Sequence, residues 1–259
     1  RSKCYHMEHA FEDIEVKANA IELLEYSLSH KRKKCMIGTG SMTDPYIPLE
    51  TELQNVRKAL QLIDKYGFGF TVITKSNRIL RDLDFLQKIN EKTKCVVQMT
   101  LTTYEDLCRK IEPNVSTTAE RFEVLKTIRD AGIPTVVWLS PILPFINDNE
   151  ENLVGILNMC IEAKVRGIIC FGMGVTLREG NREYFYEQLD RSFPGVKEKY
   201  IHTYGYQYML DSPHNGYLMQ IFHDTCEKHG IMHDNEQIFS YLSTFEEKED
   251  FQQLSLWDE

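Results

Sequence analysis

The chain has 259 residues, of which 42% are hydrophobic, so it can bury a large core and suits one barrel-sized domain or a domain with a small appendage. Its net charge of −9 and pI near 5.5 exclude a global positive field, so nucleic-acid binding would need a local basic patch. No apolar run approaches the length of a membrane span and no signal peptide is visible, which predicts a cytoplasmic protein without a membrane partner.

Amphipathic helices alternate with apolar strands through the first two thirds of the chain. Strands are predicted at 35–37, 68–73, 95–99, 135–139 and 167–171. Helices are predicted from a capping box of Asn19 and Glu22, along 53–63, along 79–90, from Ser116 or Thr117 to Gly132, and along 153–161. Strands about 30 residues apart with helices between them imply βαβ units, a parallel sheet and a barrel or part of one.

The loop at 38–46, Gly-Thr-Gly-Ser-Met-Thr-Asp-Pro-Tyr, follows the first of these strands. Gly38 and Gly40 let the backbone approach a ligand, Ser41 and Thr43 offer hydroxyls, and Asp44 can orient those hydroxyls. An ordinary turn rich in capping residues is the alternative interpretation. Further polar residues end the next three strands: Thr74, Lys75, Ser76, Thr100, Thr102, Thr103 and Ser140. Because parallel strands end at one edge, these loops predict a site there.

The pattern changes after position 176 to helices without strands, at 180–191, 213–228 and 235–242. We therefore divide the chain into a partial barrel at 1–175 and a helical extension at 176–259. The acidic stretch 246–250 is interpreted as a solvated face.

The seven cysteines are scattered and show no zinc-finger spacing, which indicates reduced thiols. Cys35, Cys95 and Cys170 lie in apolar strand-like runs and Cys160 lies on an apolar helix face. Cysteines in such places behave as small hydrophobic residues.

Five collinear motifs resemble the spore-photoproduct-lyase-like branch of the radical S-adenosylmethionine enzymes. They are Gly-Ser-Met-Thr-Asp-Pro-Tyr at 40–46, Ile-Thr-Lys-Ser at 73–76, Leu-Arg-Asp-Leu-Asp at 80–84, Glu112-Pro113 with Arg121, and Ala-Gly-Ile-Pro with Pro-Ile-Leu-Pro between 131 and 144. The resemblance covers most of residues 10–175. It implies a partial (βα)6 barrel that binds S-adenosylmethionine and a 4Fe-4S cluster, with flavodoxin or ferredoxin as electron donor.

The resemblance also implies a Cys-x-x-x-Cys-x-x-Cys motif after the first barrel strand, and this chain has no such motif. We therefore expect the first strand and the cluster cysteines to lie upstream of Arg1. Cys4 cannot replace them, because a cluster needs three or four thiolates.

Cofactor contacts follow from the resemblance. Lys75 matches the lysine that pairs with the methionyl carboxylate, although it also suits an ordinary surface lysine. Gly40 and Ser41 stand where the methionyl amino group is received. Thr100 and Thr102 match positions that bind ribose or the carboxylate, with the choice between them open, and both also suit plain β-formers.

Ser140 matches a position whose backbone contacts adenine in this branch. Glu112 and Arg121 are expected to form an ion pair that braces a loop. Genuine spore photoproduct lyases carry a cysteine after the second barrel strand, whereas this chain has Ser41 and Met42 there. The resemblance therefore leaves the substrate open, a nucleic-acid lesion included.

Three functions are consistent with the sequence. The first is a radical S-adenosylmethionine enzyme with lyase-like chemistry on an unidentified substrate. The second is a protein of the same fold that lacks the cluster and serves as a binding or scaffold module. The third is an α/β-barrel lyase that uses Lys75 as a Schiff base. Tyr204, Tyr206 and Tyr208 are either packing residues or a radical relay or substrate wall.

Overall fold

A computed structural model describes residues 14–104, 107–178 and 180–248. Its centre is a five-stranded parallel sheet whose strands follow chain order. The strands are β1 (Met36–Thr39), β2 (Gly69–Thr74), β3 (Cys95–Thr100), β4 (Thr135–Trp138) and β5 (Gly167–Ile169). All five coincide with the predicted apolar runs, which confirms the α/β class with a parallel sheet.

Helices connect and extend these strands. They are α1 (Ala20–His30), α2 (Glu50–Leu53), α3 (Asn55–Lys65), α4 (Leu83–Lys92), α5 (Leu107–Ile111), α6 (Thr118–Asp130), α7 (Glu150–Glu162), α8 (Asn181–Ser192), α9 (Val196–Tyr204), α10 (Asn215–His229) and α11 (Asn235–Ser243). A 3-10 helix (Asn77–Asp82) leads into α4. Within the described ranges no helix is both long and apolar enough to cross a membrane.

The register of the sheet separates its two faces, because side chains alternate along each strand. One face carries residues such as Val72, Val97 and Val137, which join the main core beneath α3, α4, α6, α7 and α10. The other face carries Val96, Val136 and Ile169, which pack against Ile238 and Leu242 of α11. We call this second face the inner face.

Local expectations for the helices were partly right. Thr117 accepts a hydrogen bond from the Glu120 amide and Glu120 reaches back, which confirms a helix start at Thr117. Asn19 is the N-cap of α1, which confirms the predicted helix start, but the capping box was wrong, because the Asn19 side chain makes no capping bond. The helix predicted along 53–63 is split by Gln54, whose φ is 51°, and the helix predicted along 79–90 begins as 3-10.

The C-terminal region is mainly helical, but the expectation that it lacks strands was wrong. Strands β6 (Gly174–Thr176) and β7 (Met209–Asp211) pair antiparallel, and Leu210 joins Tyr200 and Tyr204 in a small separate core. These two strands, Gly-Val-Thr and Met-Leu-Asp, are short and lack the continuous apolar run found at 167–171, so the sequence pattern did not reveal them. The domain boundary at 175 stays a prediction. Glu246 is exposed, as expected of a solvated face, while positions 249 and 250 lie outside the described residues.

Candidate functional site

The residues that follow β1 to β4 lie at one edge of the sheet, since all four strands are parallel and adjacent. Gly40 stands beside Ile73 and has a φ of 97°. A Cβ there would lie 2.0 Å from the Ile73 carbonyl oxygen, so only glycine fits this close approach. Ser41 and Thr43 next to it are exposed.

Asp44 fastens the loop after β1 to the end of β2. Its carboxylate accepts hydrogen bonds from the Thr74 hydroxyl at 2.8 Å, the Lys75 amide at 2.7 Å and the Tyr46 amide at 2.9 Å. The expectation that Asp44 orients Ser41 and Thr43 needs correction, because its described bonds go to β2 and to its own loop. Asp44 therefore fixes the position of the Lys75 backbone at the end of β2. The sequence pattern did not reveal this role.

Lys75 takes part in a three-residue charge network. Its Nζ forms an ion pair with Glu112 Oε1, and Arg121 Nη2 donates to Glu112 Oε2 at 2.8 Å. The expected pair of Glu112 and Arg121 is thus confirmed. Burial alone would raise the pKa of Glu112, but the charges of Lys75 and Arg121 outweigh it and hold this pKa below its ordinary value. Two cations share one carboxylate, so the network carries an excess of one positive charge.

Arg121 also ties β3 to the network. It is fully buried, and its guanidinium donates to the Thr100 carbonyl at 2.9 Å and to the Ser116 carbonyl at 2.8 Å. A buried guanidinium is stable only when it is hydrogen-bonded, and with the Glu112 bond each of its three nitrogens has a partner. The end of β3 and the loop that carries Glu112 are therefore held together by one side chain.

Thr100 and Thr102 are buried at the end of β3 and just beyond it. The Thr102 carbonyl accepts bonds from Asn147 and Asn152, whereas its Oγ1 has no partner among the described residues. A buried hydroxyl without a partner is costly, so a bound ligand or water there would satisfy it. Ser140 is half-buried two residues beyond β4, at the same edge.

Zwitterionic S-adenosylmethionine fits this arrangement of side chains. The excess positive charge and the partly exposed ammonium of Lys75 suit a carboxylate, and the bare backbone at Gly40 with the exposed Ser41 hydroxyl suits an amino group. The structure joins Asp44 directly to the Lys75 amide and places Gly40 against Ile73, two residues before Lys75. Thr100 is linked to Lys75 through Arg121 and Glu112.

The described residues do not fit an iron–sulfur cluster. They contain no group of three or more histidine, cysteine or acidic side chains placed to hold a metal ion. Cys95, Cys160 and Cys170 are buried, and this burial raises the pKa of each thiol. Their interpretation as small hydrophobic residues is confirmed, because a protonated buried thiol is a poor metal ligand. Cys35 is only half-buried but packs against the main core.

Three tyrosines of the C-terminal region differ in how far they are buried. Tyr204 packs against Tyr200 with ring centroids 5.7 Å apart and donates its hydroxyl to the Asp211 carbonyl. Tyr206 is 96% exposed and Tyr208 is 51% exposed. Tyr204 is therefore a packing residue of the small core.

Comparison with known proteins identifies a family whose model matches the part of the chain that carries these site residues. The family model of the Radical SAM superfamily matches residues 5–160. A protein of Mycobacterium bovis is 27% identical over 193 residues, which are 73% of this chain and 56% of that protein. A protein of Methanocaldococcus jannaschii is 32% identical over 136 residues, which are 52% of this chain and 49% of that protein. The chain thus spans about half the length of these relatives.

Solved structures of spore photoproduct lyase share the fold. A mutant of that enzyme superposes with a TM-score of 0.57 at 12% identity, over 82% of this chain and 64% of that one. A mutant with bound AdoMet and dinucleoside spore photoproduct gives 0.55 at 11% identity, over 81% and 62%. At this identity the likeness concerns the fold alone. The family match covers more than half of the chain, and on that basis this chain belongs to the radical SAM superfamily.

Proposed function

We propose that this chain is the S-adenosylmethionine-binding part of a radical S-adenosylmethionine enzyme. The observation that carries the proposal is the family match over residues 5–160. The charge network at the carboxyl edge of the sheet supports it, since Lys75 offers an ammonium where the family binds the methionyl carboxylate. AdoMet in a solved structure of the same fold is a further support.

Each candidate residue has a defined task in this proposal. The Lys75 ammonium binds the methionyl carboxylate, and Glu112 and Arg121 keep that ammonium at the sheet edge. The Gly40 backbone and the Ser41 hydroxyl receive the amino group. Asp44 acts indirectly, because it fastens the Lys75 amide.

Residues at the ends of β3 and β4 bind the adenosine half of S-adenosylmethionine in this proposal. Thr100 or Thr102 binds the ribose or the carboxylate, and the unpartnered Thr102 Oγ1 favours Thr102. The Ser140 backbone contacts adenine. S-adenosylmethionine held by these residues would supply carbon-centred radical chemistry once reduced at a 4Fe-4S cluster. The protein orients the cofactor and keeps water away from it.

The cluster thiolates belong to residues outside the described ones in this proposal, upstream of Arg1. An electron donor such as flavodoxin or ferredoxin would reduce the cluster. The substrate is unassigned, and a nucleic-acid lesion is one candidate, because spore photoproduct lyase has been solved with a dinucleoside spore photoproduct. Ser41 and Met42 supply no thiol, so hydrogen return would differ from that enzyme.

The Schiff-base alternative is disfavoured by the Lys75 contacts. An attacking amine would first have to leave Glu112, which would then keep only Arg121 as its cationic partner. The proposal and the cluster-less alternative both predict the lack of a metal-binding group among the described residues, so only a cluster assay separates them.

One experiment tests the proposal against the cluster-less alternative. The full-length protein is reconstituted anaerobically with iron and sulfide, reduced with dithionite and mixed with S-adenosylmethionine. We expect a low-temperature EPR signal that shifts on addition of S-adenosylmethionine, together with release of 5′-deoxyadenosine. A folded protein that shows neither would overturn the proposal and favour a binding or scaffold module.

A further inference from the structure

Two histidines of the C-terminal region hold their imidazole rings against each other. His223 belongs to α10, and His233 stands in the short segment between α10 and α11. Their ring centroids are 5.2 Å apart and the ring planes are inclined by 59°, so the rings meet without stacking. The segment of His233 lies beside β5, whereas the candidate cofactor residues follow β1 to β4. The pair can therefore be considered independently of the proposed function.

The backbone that carries each of the two rings is fixed. The Met232 carbonyl accepts a hydrogen bond from the Ile168 amide at 2.8 Å, so the residue before His233 is paired with β5. The residue after it, Asp234, is the N-cap of α11, and its side chain makes the capping bond. His223 lies within a helix of 15 residues. Rings carried by such rigid elements keep their separation, which a binding site requires.

A hydrogen bond sets the tautomer of His233. Its Nδ1 lies 3.0 Å from the Ile231 carbonyl oxygen, and because a carbonyl can only accept, Nδ1 carries the proton. The other nitrogen, Nε2, then keeps its lone pair when the ring is neutral. Among the described residues, neither this Nε2 nor a ring nitrogen of His223 has a hydrogen-bond partner. Proteins commonly orient metal-binding histidines through such a bond from the second ring nitrogen to a carbonyl.

The surroundings of the two rings favour a cation. The fully buried Phe222 contacts both of them, with its ring centroid 5.2 Å from that of His223 and 6.0 Å from that of His233. This apolar contact restricts how the imidazoles can turn. The stretch 223–236 contains four carboxylates and one lysine, so its local charge attracts cations and repels anions.

The separation of the rings also fits one shared metal ion. Two imidazoles that bind the same tetrahedral ion have ring centroids about 5 Å apart, because each metal–nitrogen bond is about 2.0–2.1 Å long. The observed separation is 5.2 Å. Imidazole nitrogen suits zinc, copper and nickel ions, whereas magnesium and calcium prefer oxygen ligands.

We propose that His223 and His233 bind one divalent transition-metal ion, such as Zn²⁺. Nε2 of His233 and one ring nitrogen of His223 are the protein ligands. Water completes the coordination shell, so the ion keeps exchangeable positions, unlike an ion in a closed structural site with four protein ligands. The bound ion joins α10 to the segment that leads into α11.

The test adds Zn²⁺ to the full chain, before any iron is supplied, and follows the ring-proton NMR signals of the histidines. The signals of the pair are identified by their loss in His223→Gln and His233→Gln. We expect both signals to shift together and to saturate at one common Zn²⁺ concentration. Either variant should raise the Kd read from the remaining signal at least about tenfold, since even the loss of a partner of a ligand costs about 10- to 100-fold.

His229→Gln is the matched control. His229 is exposed at the end of α10 and takes no part in the ring contact, so its replacement should leave the shifts and the Kd unchanged. Ring signals that do not move with Zn²⁺, shifts that saturate at unrelated concentrations, an unchanged Kd in either variant of the pair, or an equal loss in His229→Gln would each overturn the site.

Thermal unfolding gives a second measurement, which holds even if a variant is less stable. Each protein is compared with itself in EDTA and in saturating Zn²⁺. An ion that binds only the folded chain stabilises it, so Zn²⁺ should raise the midpoint of the wild type more than that of His223→Gln or His233→Gln. Equal rises in all three proteins would contradict the proposal, whatever the EPR and cleavage experiment shows about radical chemistry.

Discussion

Lys75 is the single residue on which the proposed cofactor site depends most. Its side chain is 31% exposed and shares Glu112 with Arg121, so a methionyl carboxylate can approach it without leaving another charge unpaired. We expect the chain to stay folded without this ammonium, since Arg121 remains as a cationic partner of Glu112.

We therefore predict that Lys75→Ala weakens binding of S-adenosylmethionine at least tenfold, as expected for loss of a charge-assisted contact. The unfolding midpoint in urea should stay close to that of the wild type. Calorimetric titration of the reconstituted protein measures the affinity. Lys65→Ala is the control, because this lysine is exposed at the end of α3, before β2 begins, whereas Lys75 follows the end of β2. Unchanged affinity in Lys75→Ala would contradict the assignment.

Gly40 offers a second test at the residue scale. Gly40→Ala would bring a Cβ to 2.0 Å from the Ile73 carbonyl oxygen at a positive φ, so the loop must move away from β2. We expect a loss of about 2 kcal/mol in unfolding free energy, measured by urea denaturation. Gly38→Ala is the matched control, since its Cβ would make an ordinary 3.6 Å contact with Thr71. Equal stability of the two variants would contradict this geometry.

At the scale of elements, Lys94 secures the C-terminal helix α11 to the start of β3. Its Nζ is buried and donates to the carbonyls of Tyr241 and Thr244 and to the Glu246 carboxylate. These carbonyls close the end of α11, where a cation also complements the helix dipole. Since Ile238 and Leu242 of α11 pack against Val96, Val136 and Ile169, this attachment contributes to the packing of the inner face.

We predict that Lys94→Met lowers the free energy of unfolding by roughly 2–3 kcal/mol, because several acceptors lose a charged donor. In Lys94→Met, amide hydrogen exchange should also speed up in α11, whereas exchange in α6 should stay as in the wild type. Lys92→Met is the control, because its ion pair with Asp64 is exposed and contributes little. Uniform exchange across the two helices in Lys94→Met would show that Lys94 does not secure α11.

For the whole molecule, the Glu112 network predicts how stability depends on pH. The pKa of Glu112 is lowered in the folded chain relative to its ordinary value of 4.5. A carboxyl with a lowered folded pKa contributes stability that is present above pH 4.5 and is lost as the pH falls through the folded pKa. This network joins the ends of β2 and β3 to the loop that carries Ser116.

We therefore expect the unfolding free energy of the wild type to fall more steeply below pH 4.5 than that of Glu112→Gln. Urea titrations between pH 3 and pH 7, about the range in which carboxyl groups titrate, would measure both slopes. Glu123→Gln is the control, since Glu123 is exposed in α6 and should leave the slope unchanged. Parallel curves for the wild type and Glu112→Gln would contradict the proposed charge network.

The sequence by itself determined the five strands, the helices between them and the polar residues at the strand ends. The period of the apolar residues shows which side of a helix or strand is buried. The polar ends of the strands can be recognised from local composition alone. The family motifs also indicated Lys75 and the pairing of Glu112 with Arg121.

Only the tertiary structure decided which distant residues meet. Lys75 and Glu112, Gln98 and Trp138, and the strands β6 and β7 are joined by register and packing across many intervening residues. No local pattern encodes such contacts, because each depends on how neighbouring strands align and which helix covers which face. The candidate site thus lies at the end of the sheet. The sequence predicted the strands of this sheet but not how they align with one another.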